Sequence, residues 1–389
     1  MTIKDRVLNT IKARRERVIK GEINCIPLPF ERFRTEWPGV EQGMYYLISG
    51  ASKSSKTQLA NYLFVYNTVL FAFKHRDIVS PKIYYYNLEE TDEAITLRFM
   101  SFLLYTIDKI RVSPTDLKST DSNKPVHEDI ISLLESPKYK EILDFYEEVV
   151  EFKQSRNPTG VYKDVKAYAE EHGVTHKKKY TYKDELGITK EGEGFDYYTP
   201  NNPNEYFFII VDHVSLLETE RGLTLRESIN KLSEYLIIFR NRYNYIPVVI
   251  QQQGLDTISL EAFKNNKIRP TLSGLSDSKS TGKDCNMMIG ITNPYSFELP
   301  EYLGYQTSIL KGNFRVLEIV LNRNGQANGL CPLFFDGAIN YYKEMPLPNE
   351  NTKLQFFYER AKAFRNSKTT NKVVLFVYSI INNLTKHNE

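Results

Sequence analysis

Short apolar runs and amphipathic stretches alternate along most of the chain from residue 45 onward. Runs that are apolar at nearly every position are typical of strands buried on both faces of a parallel sheet. The stretches between them have the spacing of helices with one apolar face, which pack on such a sheet. The pattern therefore predicts an α/β fold with a mostly parallel twisted sheet flanked by helices. The predicted strands are residues 45–49, 83–87, 206–212, 246–251, 286–291 and 316–321, and the predicted helices are residues 56–74, 91–110, 129–153 and 224–243.

The same pattern divides the chain into an N-terminal helix, a large central domain and a C-terminal extension. Residues 1–20 have a basic amphipathic pattern, and such a helix either docks on a partner subunit or nucleic acid or packs on its own core. The central domain, residues 21–343, is interrupted at 154–205 by a polar stretch that we interpret as an insertion or mobile surface arm. A linker rich in Pro and Asn and a helical pattern follow in the extension, residues 344–389.

Composition narrows the class of protein. The 389 residues are 41% hydrophobic, enough for a sizeable core, and the net charge of +3 at pH 7 favours neither nucleic acid nor a membrane as a partner. Cys25, Cys285 and Cys331 lie far apart without metal-site spacing, which fits a reducing compartment. The charged N-terminus is not a secretory signal, and the longest apolar run, 373–381, is too short to span a bilayer. We therefore expect a cytoplasmic protein with no membrane partner.

The segment from residue 45 to 59 has the strand, loop and helix that a phosphate-binding loop needs. It matches G-x-x-x-x-G-K-[ST] except that Ser55 stands at the second glycine, which points either to local strain or to a weakened or lost site. Lys56 is placed to reach the β- and γ-phosphates, and the Thr57 hydroxyl is placed to hold Mg²⁺. The residues predicted to bind ATP are Gly50, Ser52, Ser54, Ser55, Lys56 and Thr57.

Two acidic residues follow predicted strands, at the edge where α/β sheets bind ligands. Asp212 ends the apolar run 206–212 and is the candidate for the metal, together with Thr57. Glu89 follows the strand 83–87 and is the candidate general base that deprotonates the attacking water. These positions predict the acidic half of a nucleotide-hydrolysing site.

Two further strand ends have side chains suited to phosphate chemistry. Residues 251–253 are three consecutive glutamines, and a glutamine there can hydrogen-bond the γ-phosphate or water and report on nucleotide state. Arg323 precedes Asn324 and Gly325, a strong hairpin signal, so its guanidinium is suited to project into a neighbouring molecule and stabilise phosphoryl-transfer charge.

The order of these segments resembles the ATPase domain of DnaB-type replicative helicases, within the RecA-like superfamily of P-loop proteins. Each motif is weak alone, but their order along residues 21–343 is quite specific. Beside the phosphate loop, the matching segments are GEINCIPLPFERF at 21–33, GVEQGM at 39–44, NLEE at 87–90, VDHVSL at 211–216, YIPVVIQQQ at 245–253, RPTLSGLSDS at 269–278 and LNRNG at 321–325.

The resemblance implies a homo-oligomeric ring, a hexamer in this family, that binds Mg²⁺ and ATP between subunits and moves along single-stranded DNA during replication. It places the sensor glutamine on Gln253 and the DNA contacts in the loop 273–283, at Ser276, Lys279 and Lys283. Primase or a helicase loader is the implied partner. The family's N-terminal primase-binding domain is unmatched, as in a divergent phage or plasmid version, and a phage protein would act in the cytoplasm of its bacterial host.

Three departures from the family pattern keep other functions open. Ser55 replaces the loop glycine, Leu321 replaces a lysine, and Ser276 replaces an arginine of the DNA-contact loop. The first expectation is an ATP hydrolase that acts as a DnaB-type DNA helicase. The second is a catalytically weakened RecA-like ATPase that serves as a structural or loader-like interaction protein. The third is a RecA-like recombinase or DNA-packaging ATPase.

Overall fold

The structure is a computed structural model that describes residues 3–254, 259, 261, 264 and 268–368. The predicted apolar run near the C-terminus lies outside these residues. The strands are β1 (Ile26–Pro27), β2 (Gly39–Val40), β3 (Tyr46–Gly50), β4 (Ser80–Asn87), β5 (Val150–Phe152), β6 (Gly173–Lys183), β7 (Thr189–Pro200), β8 (Glu205–Asp212), β9 (Ile246–Gln252), β10 (Met287–Thr292), β11 (Phe314–Asn322), β12 (Leu330–Asp336) and β13 (Tyr341–Glu344).

The main sheet has nine strands within the described residues, in the order β13-β12-β11-β10-β3-β9-β8-β4-β5. The strands from β10 to β5 are parallel, and β11, β12 and β13 extend the sheet antiparallel beyond β10. This arrangement confirms the predicted α/β fold and its mostly parallel sheet. The carboxyl ends of β3, β9, β8 and β4 lie side by side at one edge, where sheets of this kind bind ligands.

Helices cover both faces of this sheet. The predicted helix 56–74 forms as one stretch with a π-helical turn, Asn61–Tyr66, at its centre, and the predicted helix 129–153 divides before Pro137, which begins a second helix. The helices are α1 (Ile3–Ile19), α2 (Lys56–Ala60), α3 (Asn67–Lys74), α4 (Asp92–Asp108), α5 (Pro114–Leu117), α6 (Glu128–Leu134), α7 (Pro137–Val149), α8 (Pro158–Glu171), α9 (Leu225–Tyr243), α10 (Ser280–Asp284), α11 (Thr307–Leu310) and α12 (Asn351–Lys368).

The central strands are apolar at almost every position because both of their faces are buried. Along β8, Phe208 and Ile210 pack into the core on one face, and Phe207, Ile209 and Val211 pack into the core on the other. Successive side chains of a strand point to opposite faces, so each face needs its own apolar residues. This packing holds Asp212 at the end of β8 in a fixed position beside the neighbouring strands.

The stretch 154–205 differs from the polar arm expected from the sequence. Its first part forms α8, which begins at Pro158 after an Asn157 cap and buries Val161 and Val165 in the core. Its second part forms the antiparallel hairpin of β6 and β7, whose side chains are mostly exposed. The polar composition therefore predicts the hairpin, whereas the four-residue spacing of the buried valines explains the packed helix.

The two terminal helices differ in their packing. On α1, the apolar side chains of Val7, Ile11 and Val18 are 52%, 57% and 61% exposed, so this face has no apolar cover within the described chain. On α12, Leu354 and Tyr358 are buried in an apolar cluster with Tyr305 and Phe314. No helix in the described residues has the length and apolar character needed to cross a membrane.

Candidate nucleotide-binding site

The loop between β3 and α2 has the shape that its sequence motif requires. Gly50 ends the strand, and a Cβ atom at this position would collide with the carbonyl of Ile291 and the hydroxyl of Ser54. Ser55 precedes the first helical residue with φ of 73°, in the left-handed region that favours glycine. The chain therefore adopts the conformation of the glycine-containing motif although it has serine at this position.

Ser55 is held in this conformation by side chains from the antiparallel end of the sheet. The Arg315 guanidinium donates Nε to the Ser55 hydroxyl at 2.9 Å and to the Ser54 carbonyl at 3.0 Å. The Tyr342 hydroxyl lies 3.1 Å from the Ser55 hydroxyl and 3.2 Å from the Ser55 carbonyl. Sequence analysis did not identify Arg315 or Tyr342, and no local motif marks them.

Lys56 is the first residue of α2, and its ammonium lies across the loop, where it donates to the carbonyl of Ala51 at 3.0 Å. Burial lowers the pKa of Lys56, and the carboxylates of Asp212 and Glu89 oppose that shift because they favour the charged form. The lysine and both predicted carboxylates therefore share one electrostatic environment at the carboxyl edge of the sheet.

Asp212 is buried beside the start of α2. The hydroxyl of Thr57 donates to Oδ1 of Asp212 at 3.1 Å, and the hydroxyl of Tyr85 donates to Oδ2 at 3.1 Å. Burial raises the pKa of Asp212 to about 7, although both hydrogen bonds act in the opposite direction. Tyr85 looks like an ordinary core residue of β4 in the sequence, and only the register of β4 and β8 brings its hydroxyl to Asp212.

The two glutamates after β4 have different surroundings. Glu89 is 52% exposed at its side chain, and its carboxylate lies 3.7 Å from Nε2 of His213. Glu90 accepts two hydrogen bonds from the guanidinium of Arg98 on α4. Glu90 is thus engaged within its own chain, whereas the accessible carboxylate at this edge is that of Glu89, the residue predicted as the general base.

The three glutamines at the end of β9 connect the phosphate loop with the loop 273–283. Gln253 is buried, and its amide donates to the Ser49 hydroxyl at 2.7 Å and to the Thr271 carbonyl at 3.2 Å. Gln251 is also buried, and its amide donates to the carbonyls of Ser276 and Ser278. The predicted sensor Gln253 therefore lies one strand from the phosphate loop, with its amide turned into the protein.

The predicted DNA-contact residues lie around α10. Lys279 and Lys283 are exposed and one helical turn apart, so their ammonium groups can act on the same side of this short helix. The Ser276 hydroxyl instead donates to the Gln252 carbonyl at 2.8 Å and to the Asp277 carboxylate at 3.0 Å. The structure thus presents the two lysines to solvent and uses the serine within the loop.

Arg323 lies at the opposite edge of the sheet from its own phosphate loop. It follows β11, whose last residue, Asn322, pairs with Met287, which pairs with the first residue of β3, Tyr46. The phosphate loop follows the last residue of β3, about 13 Å further along at 3.3 Å per residue. The Arg323 guanidinium donates to the carbonyls of Lys283 and Cys285, so it is held beside α10.

The residues at the carboxyl edge fit a magnesium nucleotide. The Ser54 hydroxyl is buried without a hydrogen-bond partner in the described residues, and the first N–H groups of α2 have no helical partner. No group of three His, Cys, Asp or Glu side chains in the described residues could hold a metal ion by itself. Asp212 and Thr57 alone provide too few ligands for Mg²⁺, which in such sites is completed by phosphate oxygens and water.

Comparisons with known proteins support the fold. No family model and no curated protein matches the sequence. The ATPase domain of another protein aligns with 14% identity and a TM-score of 0.57, over 88% of this chain and 98% of that one. A DnaB-like replicative helicase, solved in a study of its interactions with primase, aligns with 14% identity and a TM-score of 0.56 over 88% of this chain.

This chain spans 66% of the length of that DnaB-like helicase. The RadB recombinase also aligns, with 10% identity and a TM-score of 0.44 over 83% of this chain, a likeness too weak to bear on function. At these identities the alignments establish the architecture. The chain therefore has the RecA-like fold of DnaB-like helicase ATPase domains, in a divergent sequence.

Proposed function

We propose that this protein is an ATP hydrolase that acts as a DnaB-type helicase or translocase on single-stranded DNA. The observation that carries the proposal is the grouping of Lys56, Thr57 and Asp212 at the carboxyl edge of the sheet, with Glu89 accessible beside them. Three parts of the chain far apart in sequence supply these residues. Their combination is that of a phosphate loop, a metal carboxylate and a general base.

Each residue has a chemical role that follows from its position. The N–H groups at the start of α2 and the Lys56 ammonium bind phosphate oxygens, while Thr57 and Asp212 hold Mg²⁺. The bound ion neutralises charge that develops on the phosphate oxygens. Glu89 orients and deprotonates the attacking water, since its carboxylate is free to face solvent at this edge.

Assembly into a ring supplies what one copy lacks. Arg323 is about 13 Å along the sheet from the loop of its own chain, so in this proposal it acts on ATP bound to the neighbouring copy. The exposed apolar face of α1, which includes Val7 and Ile11, gives each copy a surface that a neighbour can cover. Lys279 and Lys283 then contact the phosphates of the DNA strand without reading its bases.

The test is the steady-state ATPase rate with and without single-stranded DNA. The Lys56→Ala variant should lose the activity, while Lys53→Ala, which removes an exposed lysine of the same loop, should retain most of it. DNA stimulation that is lost only in Lys56→Ala would support a nucleic-acid motor, and strand unwinding would be measured next. A folded wild-type protein with no turnover above the Lys56→Ala level would contradict the proposal.

A second candidate function is a structural or loader-like protein that binds ATP without DNA-stimulated hydrolysis. The observation that favours it is the position of Gln253, whose amide is bonded to Ser49 and Thr271 inside the protein. The replacement of the family lysine by Leu321 removes a second positive charge near Arg323. Nucleotide binding at normal affinity, with turnover unaffected by DNA, would favour this function over a motor.

A further inference from the structure

Arg315 is a buried cation with no carboxylate partner among the described residues. Besides the phosphate loop, its guanidinium bonds only the carbonyls of Gly312 and Phe314, and it lies 4.9 Å from the centre of the Phe335 ring. Burial lowers the pKa of Arg315 to about 10, so it remains charged at neutral pH. A buried charge without an opposite charge is costly, which calls for a compensating role.

Tyr342 approaches the same serine from β13. Its ring stacks on Phe335 with centroids 4.5 Å apart, and its hydroxyl is within hydrogen-bond distance of both Ser55 oxygens. Arg315, Phe335 and Tyr342 come from three adjacent antiparallel strands, β11, β12 and β13. They form a rigid support on the side of the phosphate loop that faces the protein interior.

We propose that Arg315 and Tyr342 are positioning residues that hold Ser55 in its left-handed conformation and so replace the loop glycine. This inference rests on the proposed nucleotide site. A glycine needs no support at φ of 73°, whereas a serine does, and two hydrogen bonds to its side chain supply it. The same support places a positive charge behind the loop, so a polyphosphate in the loop offsets the charge of Arg315.

The test measures the Kd of Mg²⁺ with a fluorescent ATP analogue, together with kcat and KM. Tyr342→Phe removes one hydroxyl and keeps the stacked ring, and it should raise Kd and KM about threefold with little change in kcat. Tyr62→Phe is the matched control, because the Tyr62 hydroxyl is also buried and donates to the Tyr342 carbonyl instead of Ser55. The control should leave Kd unchanged.

The decisive comparison is made in a Ser55→Gly background. There the loop no longer needs support, so Tyr342→Phe should change Kd much less than in the wild type. Arg315→Met should raise Kd about tenfold in the wild type, and Ser55→Gly should recover only part of that loss, since the charge remains absent. If Arg315→Met fails to fold, the Tyr342 comparison decides alone.

Two kinds of result would overturn the inference in distinguishable ways. Equal losses from Tyr342→Phe in the wild type and in the Ser55→Gly background would refute the support and leave the proposed function standing. So would no loss at all while the wild type binds nucleotide, or a lower kcat at unchanged Kd. A folded wild-type protein that binds no nucleotide would refute both the support and the nucleotide site.

Discussion

The hydroxyl of Thr57 donates a hydrogen bond to the carboxylate of Asp212, with 3.1 Å between the two oxygens. These residues are 155 positions apart in the chain. One begins the helix after the phosphate loop and the other ends β8, two strands away from β3 in the sheet. Their contact links the loop to the acidic residues that phosphoryl transfer needs, and it is sensitive to small changes in either side chain.

Asp212→Asn should stabilise the protein at alkaline pH. The folded protein keeps a proton on Asp212 up to about pH 7, whereas the unfolded chain loses it near pH 4. The folded state thus binds more protons between these values, and its stability falls as the pH rises through that window. The variant lacks this loss, so above pH 7 its free energy of unfolding should exceed that of the wild type by about 1 to 3 kcal/mol.

The measurement is urea unfolding at pH 5 and pH 8 without Mg²⁺. Asp336→Asn is the control, because Asp336 is also buried but accepts two hydrogen bonds from Arg111, at 2.8 and 3.1 Å. That change breaks a buried ion pair and should destabilise the protein by about 3 kcal/mol at both pH values. An Asp212→Asn variant less stable than the wild type at pH 8 would show that the carboxylate is stabilising.

Glu89→Gln should keep nucleotide binding and lower the hydrolysis rate about 100-fold to 10,000-fold, because it removes the proposed base without altering the loop. The adjacent Glu90→Gln provides the contrast, since Glu90 pairs with Arg98. Glu90→Gln should reduce thermal stability and retain most of the turnover. Binding is measured with a fluorescent nucleotide, and turnover by phosphate release. Normal turnover in Glu89→Gln would exclude this residue from the mechanism.

Arg323→Ala and Lys56→Ala should each be inactive alone and regain ATPase activity when mixed. A mixed ring contains interfaces at which an intact loop from one copy meets an intact Arg323 from the next. A mixture of Lys56→Ala with Glu89→Gln is the control, because both residues belong to the same side of the interface and no intact site forms. Recovery in neither mixture, with mixed rings shown by mass measurement, would exclude action of Arg323 on a neighbour.

Lys279→Ala combined with Lys283→Ala should weaken binding of single-stranded DNA and reduce its salt dependence. Each phosphate contact on a single strand contributes about 0.7 to the slope of log affinity against log salt, so the slope should fall by about 1.4. Lys177→Ala with Lys178→Ala, on the exposed hairpin, removes the same charge elsewhere and is the control. Equal slopes for both double variants would place the DNA contacts outside α10.

Local pattern was sufficient to predict the elements but not all of the site. The strands and the turn after β3 depend on residues adjacent in the chain, so they can be read from apolar runs and the loop motif. Arg315 and Tyr342 lie 260 and 287 positions from Ser55, and no short motif links them to it. The packing of α8 was hidden in a polar composition, although two buried valines at helical spacing indicate it in retrospect.

The sequence by itself determined the layered α/β architecture, because both faces of the central strands are buried and only apolar residues satisfy that condition. It also determined the phosphate loop and the strand ends at which Glu89 and Asp212 stand. The tertiary structure decided how these ends combine, since the strand order brings β3, β9, β8 and β4 to one edge. It also decided which distant side chains support Ser55, because contacts across the sheet depend on register, which periodicity does not encode.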